Sequence, residues 1–298
     1  MAGRTAILGA GAVGGMLGVL LANAGHDVTL LASDRTSTEI NVNGLTLRSG
    51  RYGELRAPVP ARPWLTGAVD VLFVAVKAPD LLAALTRVPA PLLRDAAIVP
   101  LLNGVDHVPL LRAAFPQSTV VPMTVSVEAT RVAPGVIEHV SPFADYAISA
   151  GYRGPTVDPG ALLTSAGLTV DASAPDDATL LWRKLSFLAP FALVTTSALD
   201  ALGPARQARP ELLHGLVEEA AAAAAAAVDG AAIDPAAVRE RLHGLPAGMR
   251  SSMLKDAEAG AVLKLDAIAG PTLRASPDGA PVTRGVVAEI ARPRERRP

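Results

Sequence analysis

The sequence predicts an α/β chain in two parts: a doubly wound parallel sheet over residues 1–174, then a mostly α-helical domain over residues 175–298. Three observations predict it. Short apolar runs alternate with helix-like segments through roughly the first 125 residues, as strands buried on both faces do when helices cover them. A glycine-rich turn, Gly9-Ala10-Gly11-Ala12-Val13-Gly14, follows the first of those runs directly. From Ala178 onward the apolar residues recur at helical spacing, with Gly and Pro between segments.

Taken in order, Thr5-Ala6-Ile7-Leu8 is a short apolar run ending on glycine, hence a buried strand. Val13 to Ala24 reads as a helix closed by Gly25, and Val28-Thr29-Leu30-Leu31 as a second strand. Val69 to Val76 and Ala97 to Leu102 repeat the strand pattern, with Asp80 to Arg87 as a helix between them. After Gly151 the chain is rich in turn residues, at Pro155 to Pro159 and Ala174 to Asp177. Four helices are then expected, at Leu180 to Thr195, Pro210 to Asp229, Pro235 to Leu242 and Ser251 to Leu265.

Composition narrows the class. Half of the 298 residues are apolar and the formal net charge is −1, which suits a globular chain and leaves no basic stripe for nucleic acid. The cluster from Arg292 to Arg297 reads as a solvated tail. The longest apolar run, Ala220 to Val228, has nine residues, against roughly 20 for a membrane span. With no cysteine, disulfides, thiolate metal sites and cysteine nucleophiles drop out. No metal site is expected. The N-terminus lacks the basic and apolar regions of a signal peptide, so a cytoplasmic location is expected.

The glycine turn carries the first chemistry. Between a strand and a helix, Gly9 permits a tight turn and Gly11 lets backbone N–H groups approach a pyrophosphate. Gly14 lets the helix pack close to the sheet, with its N-terminus toward the phosphates. Gly9, Ala10, Gly11, Ala12, Val13 and Gly14 are therefore expected to bind a dinucleotide in a Rossmann-type domain. At the end of the second strand, Asp34 would favour NAD, whereas Ser33 and Arg35 would hold a 2′-phosphate. We weigh these toward NADPH, with NADH left open.

Several spaced segments together resemble the ketopantoate reductase (2-dehydropantoate 2-reductase) family. They are Ile7 to Gly15, Phe73-Val74-Ala75-Val76-Lys77-Ala78, Leu102-Asn103-Gly104-Val105, Leu181-Trp182-Arg183-Lys184-Leu185 and Ser251-Ser252-Met253-Leu254-Lys255-Asp256. The resemblance implies an NADPH-dependent reductase of a small 2-oxo acid, usually dimeric. Lys184 matches the family's catalytic lysine. Such a lysine polarises the carbonyl and supplies its proton if burial or a neighbouring cation brings its pKa toward neutrality. By resemblance Lys77 touches cofactor or substrate, Asn103 the nicotinamide ribose and substrate, and Ser252 the substrate carboxylate. Without the family, Ser251-Ser252 reads as a helix N-cap pair and Asn103-Gly104 as a structural turn.

The sequence departs from the family pattern where the substrate should lie. Two family asparagines fall on Leu188 and Ala192, a family glutamate falls on Lys264, and a third asparagine on Ala269. These losses point to a less polar substrate. Lys264 is expected either to attract a second acidic group or to lower the pKa of Lys184. A small gap would instead put Glu258 in the glutamate's place. The alternatives to a ketopantoate reductase are a diverged paralogue acting on a more apolar oxo acid or ketone, and a non-catalytic dinucleotide-binding sensor.

Overall fold

The computed structural model describes residues 3–150, 157–229 and 233–292. The start of the turn-rich stretch expected at Pro155 to Pro159, residues 155 and 156, and the basic tail beyond Arg292 lie outside these residues. The chain forms two compact units. The first takes the residues up to Leu102 and His107–Leu180; the second takes Asn103–Asp106 and the residues from Leu181 onward.

In the first unit the elements are β1 (Thr5–Leu8), α1 (Ala12–Asn23), β2 (Val28–Leu31), α2 (Asp34–Asn43), β3 (Leu45–Ser49), β4 (Gly53–Ala57), β5 (Ala61–Arg62), β6 (Val71–Val74), α3 (Leu81–Leu85), β7 (Ala97–Pro100), α4 (His107–Ala114), β8 (Thr119–Val120), β9 (Met123–Ala133), β10 (Val136–Ser149), α5 (Pro159–Ser165) and β11 (Thr169–Ala174). Six strands make a parallel sheet in the order β5-β2-β1-β6-β7-β8. Every residue of β1, β6 and β7 is buried, which explains their unbroken apolar sequences. The order reverses between β1 and β6, so the crevice at their carboxyl ends is the topological switch point where such sheets bind ligands.

A second sheet, which the alternation of apolar runs does not reveal, runs β11-β10-β3-β4 with β9 paired antiparallel to β10. Its long strands β9 and β10 mix polar and apolar residues. The helix α1 is apolar on all sides and buried from Gly14 to Leu21 because both sheets cover it. A Cβ on Gly15 would come within 2.6 Å of Ile137 in β10, and one on Gly18 within 3.2 Å of Leu45 in β3. Gly15 and Gly18 of α1 are thus required for close packing against the second sheet.

The second unit is helical: α6 (Asp177–Ala198), which starts in the first unit, then α7 (Leu202–Ala208), α8 (Pro210–Ala227), α9 (Pro235–Gly244), α10 (Ser252–Glu258), α11 (Leu265–Ala275) and α12 (Pro281–Ala291). The break between units falls inside α6 rather than ahead of it. The single helix expected from Ser251 to Leu265 stops at Glu258, because Gly260, at φ +63°, ends α10 in a left-handed turn, and α11 starts only at Leu265. Trp182, Leu185, Phe191, Leu216, Val217, Met253 and Ile268 are among the buried residues of its core. Among the described residues no single helix is long and apolar enough to cross a membrane.

Candidate active site

In the first unit the glycine turn has the geometry its sequence implies. Gly9 sits at φ +109°, a conformation that a side chain strains, and its N–H donates to the carbonyl of Leu31 at 2.9 Å. A Cβ on Gly14 would lie 2.0 Å from the carbonyl oxygen of Gly9, so the helix reaches the turn only without one. A Cβ on Gly11 would meet no atom of the chain within 4 Å, so the backbone there faces open space. Gly11 is also the N-cap of α1, with no side chain capping it and no acidic residue in the first turn. The first N–H groups of a fully formed helix therefore point outward with no competing anion, which fits a pyrophosphate. Ala10, Ala12 and Val13 offer only backbone groups and small apolar surface.

Lys77 lies three residues beyond β6, exposed at the same switch point, where it caps the 3₁₀ turn Ala78–Asp80. Val76 and Ala75, just before it, bound the space over Gly9 at 2.9–3.0 Å. Ser33 and Arg35 are exposed at the carboxyl end of β2. Ser33 is the N-cap of α2, its Oγ accepting from the Thr36 N–H at 3.4 Å and donating to Thr36 Oγ1 at 3.1 Å.

In the second unit, Lys184 is partly buried on α6 between enclosed Trp182 and Leu185. Burial lowers its pKa from 10.5 to about 8, because an ammonium stripped of water is disfavoured relative to the neutral amine. Helical spacing puts Lys184, Leu188, Ala192 and Thr195 along one side of α6. Lys184 and Thr195 are eleven residues apart, roughly 16 Å along the axis at 1.5 Å per residue.

At the far end of that stripe the Thr195 and Ser251 hydroxyls are 2.8 Å apart and buried. Ser251, not Ser252, caps α10, accepting from the Leu254 N–H at 3.0 Å. Ser252 is the first helical residue and is exposed. The two serines of the motif thus divide into a buried structural one and an accessible one.

Asn103 belongs to this unit because its turn docks on α11. Gly104, at φ +92°, approaches so closely that a Cβ would lie 2.4 Å from the Ala267 carbonyl oxygen. Two residues on, Asp106 pairs with Arg274, whose Nη1 also donates to Asp266 at 2.9 Å. The Asn103 side-chain amide has no hydrogen-bond partner among the described residues. The Asp106–Arg274–Asp266 chain of charges carries no motif and escaped the sequence reading.

Lys264 does not stand free. Its Nζ donates to Asp256 Oδ2 at 3.0 Å, in a pair whose side chains are only 10% and 13% exposed. Burial is the cause of the lowered pKa of Lys184. Glu258 is paired with Arg250.

Known proteins resemble this chain in sequence and in fold. The family model described as ketopantoate reductase PanE/ApbA matches residues 5–151. A 2-dehydropantoate 2-reductase of Mycobacterium tuberculosis is 32% identical over 285 residues, 92% of this chain and 91% of the relative. The chain belongs to the ketopantoate reductase family. An uncharacterised oxidoreductase of Bacillus subtilis is 28% identical, covering 89% of each chain. Among solved structures, a PanE/ApbA family ketopantoate reductase from Ralstonia eutropha superposes with a TM-score of 0.83 at 26% identity, covering 96% of this chain and 97% of that one. D-mandelate dehydrogenase, solved with NADH and anilino(oxo)acetate, shares the fold with a TM-score of 0.80 at 20% identity, covering 96% and 98%. This member of the ketopantoate reductase family is thus an oxidoreductase with a Rossmann-type sheet and a helical second part.

Proposed function

We propose that this ketopantoate reductase family member is an NADPH-dependent reductase of a small 2-oxo acid, with Lys184 as general acid. Lys184 carries the reading: one partly buried ammonium on α6 with a pKa of about 8, poised to give up a proton near neutrality. A nicotinamide dinucleotide, when bound, would supply the hydride that the carbonyl carbon takes up. Lys184 donates a hydrogen bond to the carbonyl oxygen and then the proton that completes the alcohol. Asn103 offers an uncommitted amide to the nicotinamide ribose and the substrate, and Ser252 an exposed hydroxyl to the substrate carboxylate. Gly9 to Gly14 hold the pyrophosphate, with Lys77 at the switch point. Ser33 and Arg35 favour the 2′-phosphate form: Arg35 is exposed to pair with the phosphate, and the Ser33 hydroxyl would turn its proton from Thr36 Oγ1 to a phosphate oxygen while still accepting the Thr36 N–H.

2-Dehydropantoate is the reference substrate. Leu188 and Ala192 on the Lys184 side of α6 favour a less polar 2-oxo acid as the better one, since no amide there recognises a substrate hydroxyl. A turnover screen of 2-oxo acids with NADPH and NADH side by side tests the reading. NADPH oxidation with at least one oxo acid is expected, and fastest with an apolar side chain. Binding of either dinucleotide without turnover of any oxo acid would leave a sensor instead.

A further inference from the structure

A second loop rises beside Ser33. The strand β5 pairs in parallel with β2, Leu31 opposite Arg62, and the Ala32 N–H donates to the Arg62 carbonyl at 3.0 Å. The residues after Arg62 therefore emerge at the same edge of the sheet as Ser33, Asp34 and Arg35. Arg87, two residues past α3, fastens the two loops together. Its Nη1 donates to the Ala32 carbonyl at 2.7 Å and to that of Pro63 at 3.4 Å, while the Leu65 N–H donates to the Arg87 carbonyl at 3.0 Å. Within the stapled loop, Arg62 Nη1 donates to Thr66 Oγ1 at 3.1 Å. Trp64 stands in the middle of it, 52% exposed.

An indole left this open is unusual, because burying it would remove a large apolar area from water. Here the loop is short, is held by a guanidinium across its base, and stands where a Rossmann-type sheet meets the outer end of its ligand. We propose that the Arg62–Thr66 loop is the second wall of the adenosine end of the cofactor site. Trp64 is the surface on which the adenine stacks, and Arg87 is the positioning residue that holds the loop to the end of β2. The inference rests on the proposed use of a dinucleotide. An adenine offers a flat face to an indole with no need for a hydrogen-bond pattern. The exposed side chains of Arg35 and Arg62 lie at that edge and suit the 2′-phosphate on the ribose attached to the adenine.

The chain has two tryptophans, Trp64 and Trp182, and Trp182 is only 6% exposed. Fluorescence therefore separates them. Adenosine 2′,5′-bisphosphate, which has no nicotinamide, is expected to quench the full-length protein, and Trp64→Phe to remove most of that quenching. Trp64→Ala is expected to weaken NADPH binding roughly tenfold, within the range found for base–aromatic stacking, with its melting temperature unchanged. Arg87→Met is expected to raise the KM for NADPH while kcat at saturation holds, and Arg87→Lys to recover part of it. NADPH bound equally tightly by wild type and Trp64→Ala, read from nicotinamide fluorescence, overturns the stacking surface. Failure of both NADPH and NADH to bind the wild-type chain overturns the cofactor reading, and this inference with it.

Discussion

The Ser251 hydroxyl lies 2.8 Å from that of Thr195, both enclosed, and this one contact joins the cap of α10 to the helix that carries Lys184. One order of donors satisfies every group. The Leu254 N–H donates to Ser251, Ser251 donates to Thr195, and Thr195 donates to the Phe191 carbonyl at 2.7 Å. Ser251→Ala removes a cap and a buried hydroxyl partner together, at an expected cost of about 1–2 kcal/mol in denaturant unfolding. Ser252→Ala, one position on and exposed, is expected to leave stability within about 0.5 kcal/mol. Its effect should appear as a KM for the oxo acid raised roughly tenfold or more, the value of a charge-assisted hydrogen bond. Reversed outcomes for the two serines would show that their roles are exchanged.

Lys184→Ala is expected to lower kcat by roughly 10²–10⁴-fold, the usual contribution of a general acid. Because the acting form is protonated and its pKa is lowered to about 8, wild-type reduction should be pH-independent below that value and fall as pH rises through it. A rate that holds level to pH 10 would remove Lys184 from proton transfer.

The same burial has a stability consequence with a definite sign. The folded chain releases the Lys184 proton near pH 8 and the unfolded chain near 10.5, so between these values the unfolded state holds more protons. Stability therefore gains from this group as pH rises through that window, and below it the buried charge is a standing cost. Lys184→Met should melt higher than wild type at pH 7, by roughly 2–4 °C for each 1 kcal/mol recovered, and should lose the gain between pH 8 and 10.5. A variant that melts lower at pH 7 would count against the burial of that ammonium.

The Lys264–Asp256 pair is expected to be structural. Lys264→Met takes the ammonium from a largely buried carboxylate and should cost about 3 kcal/mol, whereas the double change Asp256→Leu with Lys264→Met should cost less. A double-mutant cycle in urea measures the difference. If Lys264 instead served an acidic substrate, the single change would raise KM with stability intact.

Two glycines of the first loop separate folding from binding. Gly14→Ala forces a Cβ against the Gly9 carbonyl and should both destabilise the chain by about 1–3 kcal/mol and weaken NADPH binding. Gly11→Ala meets nothing of the chain within 4 Å, so it should melt near the wild-type temperature and lose only the dinucleotide. Calorimetric binding alongside a thermal melt distinguishes the two.

Much of this was legible because its signals are local. The runs at Thr5, Val28, Val71 and Ala97 are buried on both faces, so their apolar character is continuous in the sequence. The glycine spacing from Gly9 to Gly14 encodes a backbone shape, and Lys184 and Ser252 lie in dense motifs. The second sheet was not legible, since strands such as Met123–Ala133 carry only part of their surface inward and mix residue types accordingly. The break after Glu258 was missed because the left-handed turn at Gly260 interrupts an apolar pattern that continues beyond it.

By itself, then, the sequence determined the four apolar strands at the centre of the parallel sheet, the glycine turn after the first of them and the family, because each depends on residue type and short spacing. Only the tertiary structure decided which serine is buried, that Lys264 belongs to Asp256, that Asn103 sits with α11 rather than with the sheet, and that Arg87 ties the Trp64 loop to β2. Those relationships join positions far apart in the chain, and a side chain's charge or hydroxyl has no assigned partner until packing brings one within hydrogen-bond reach.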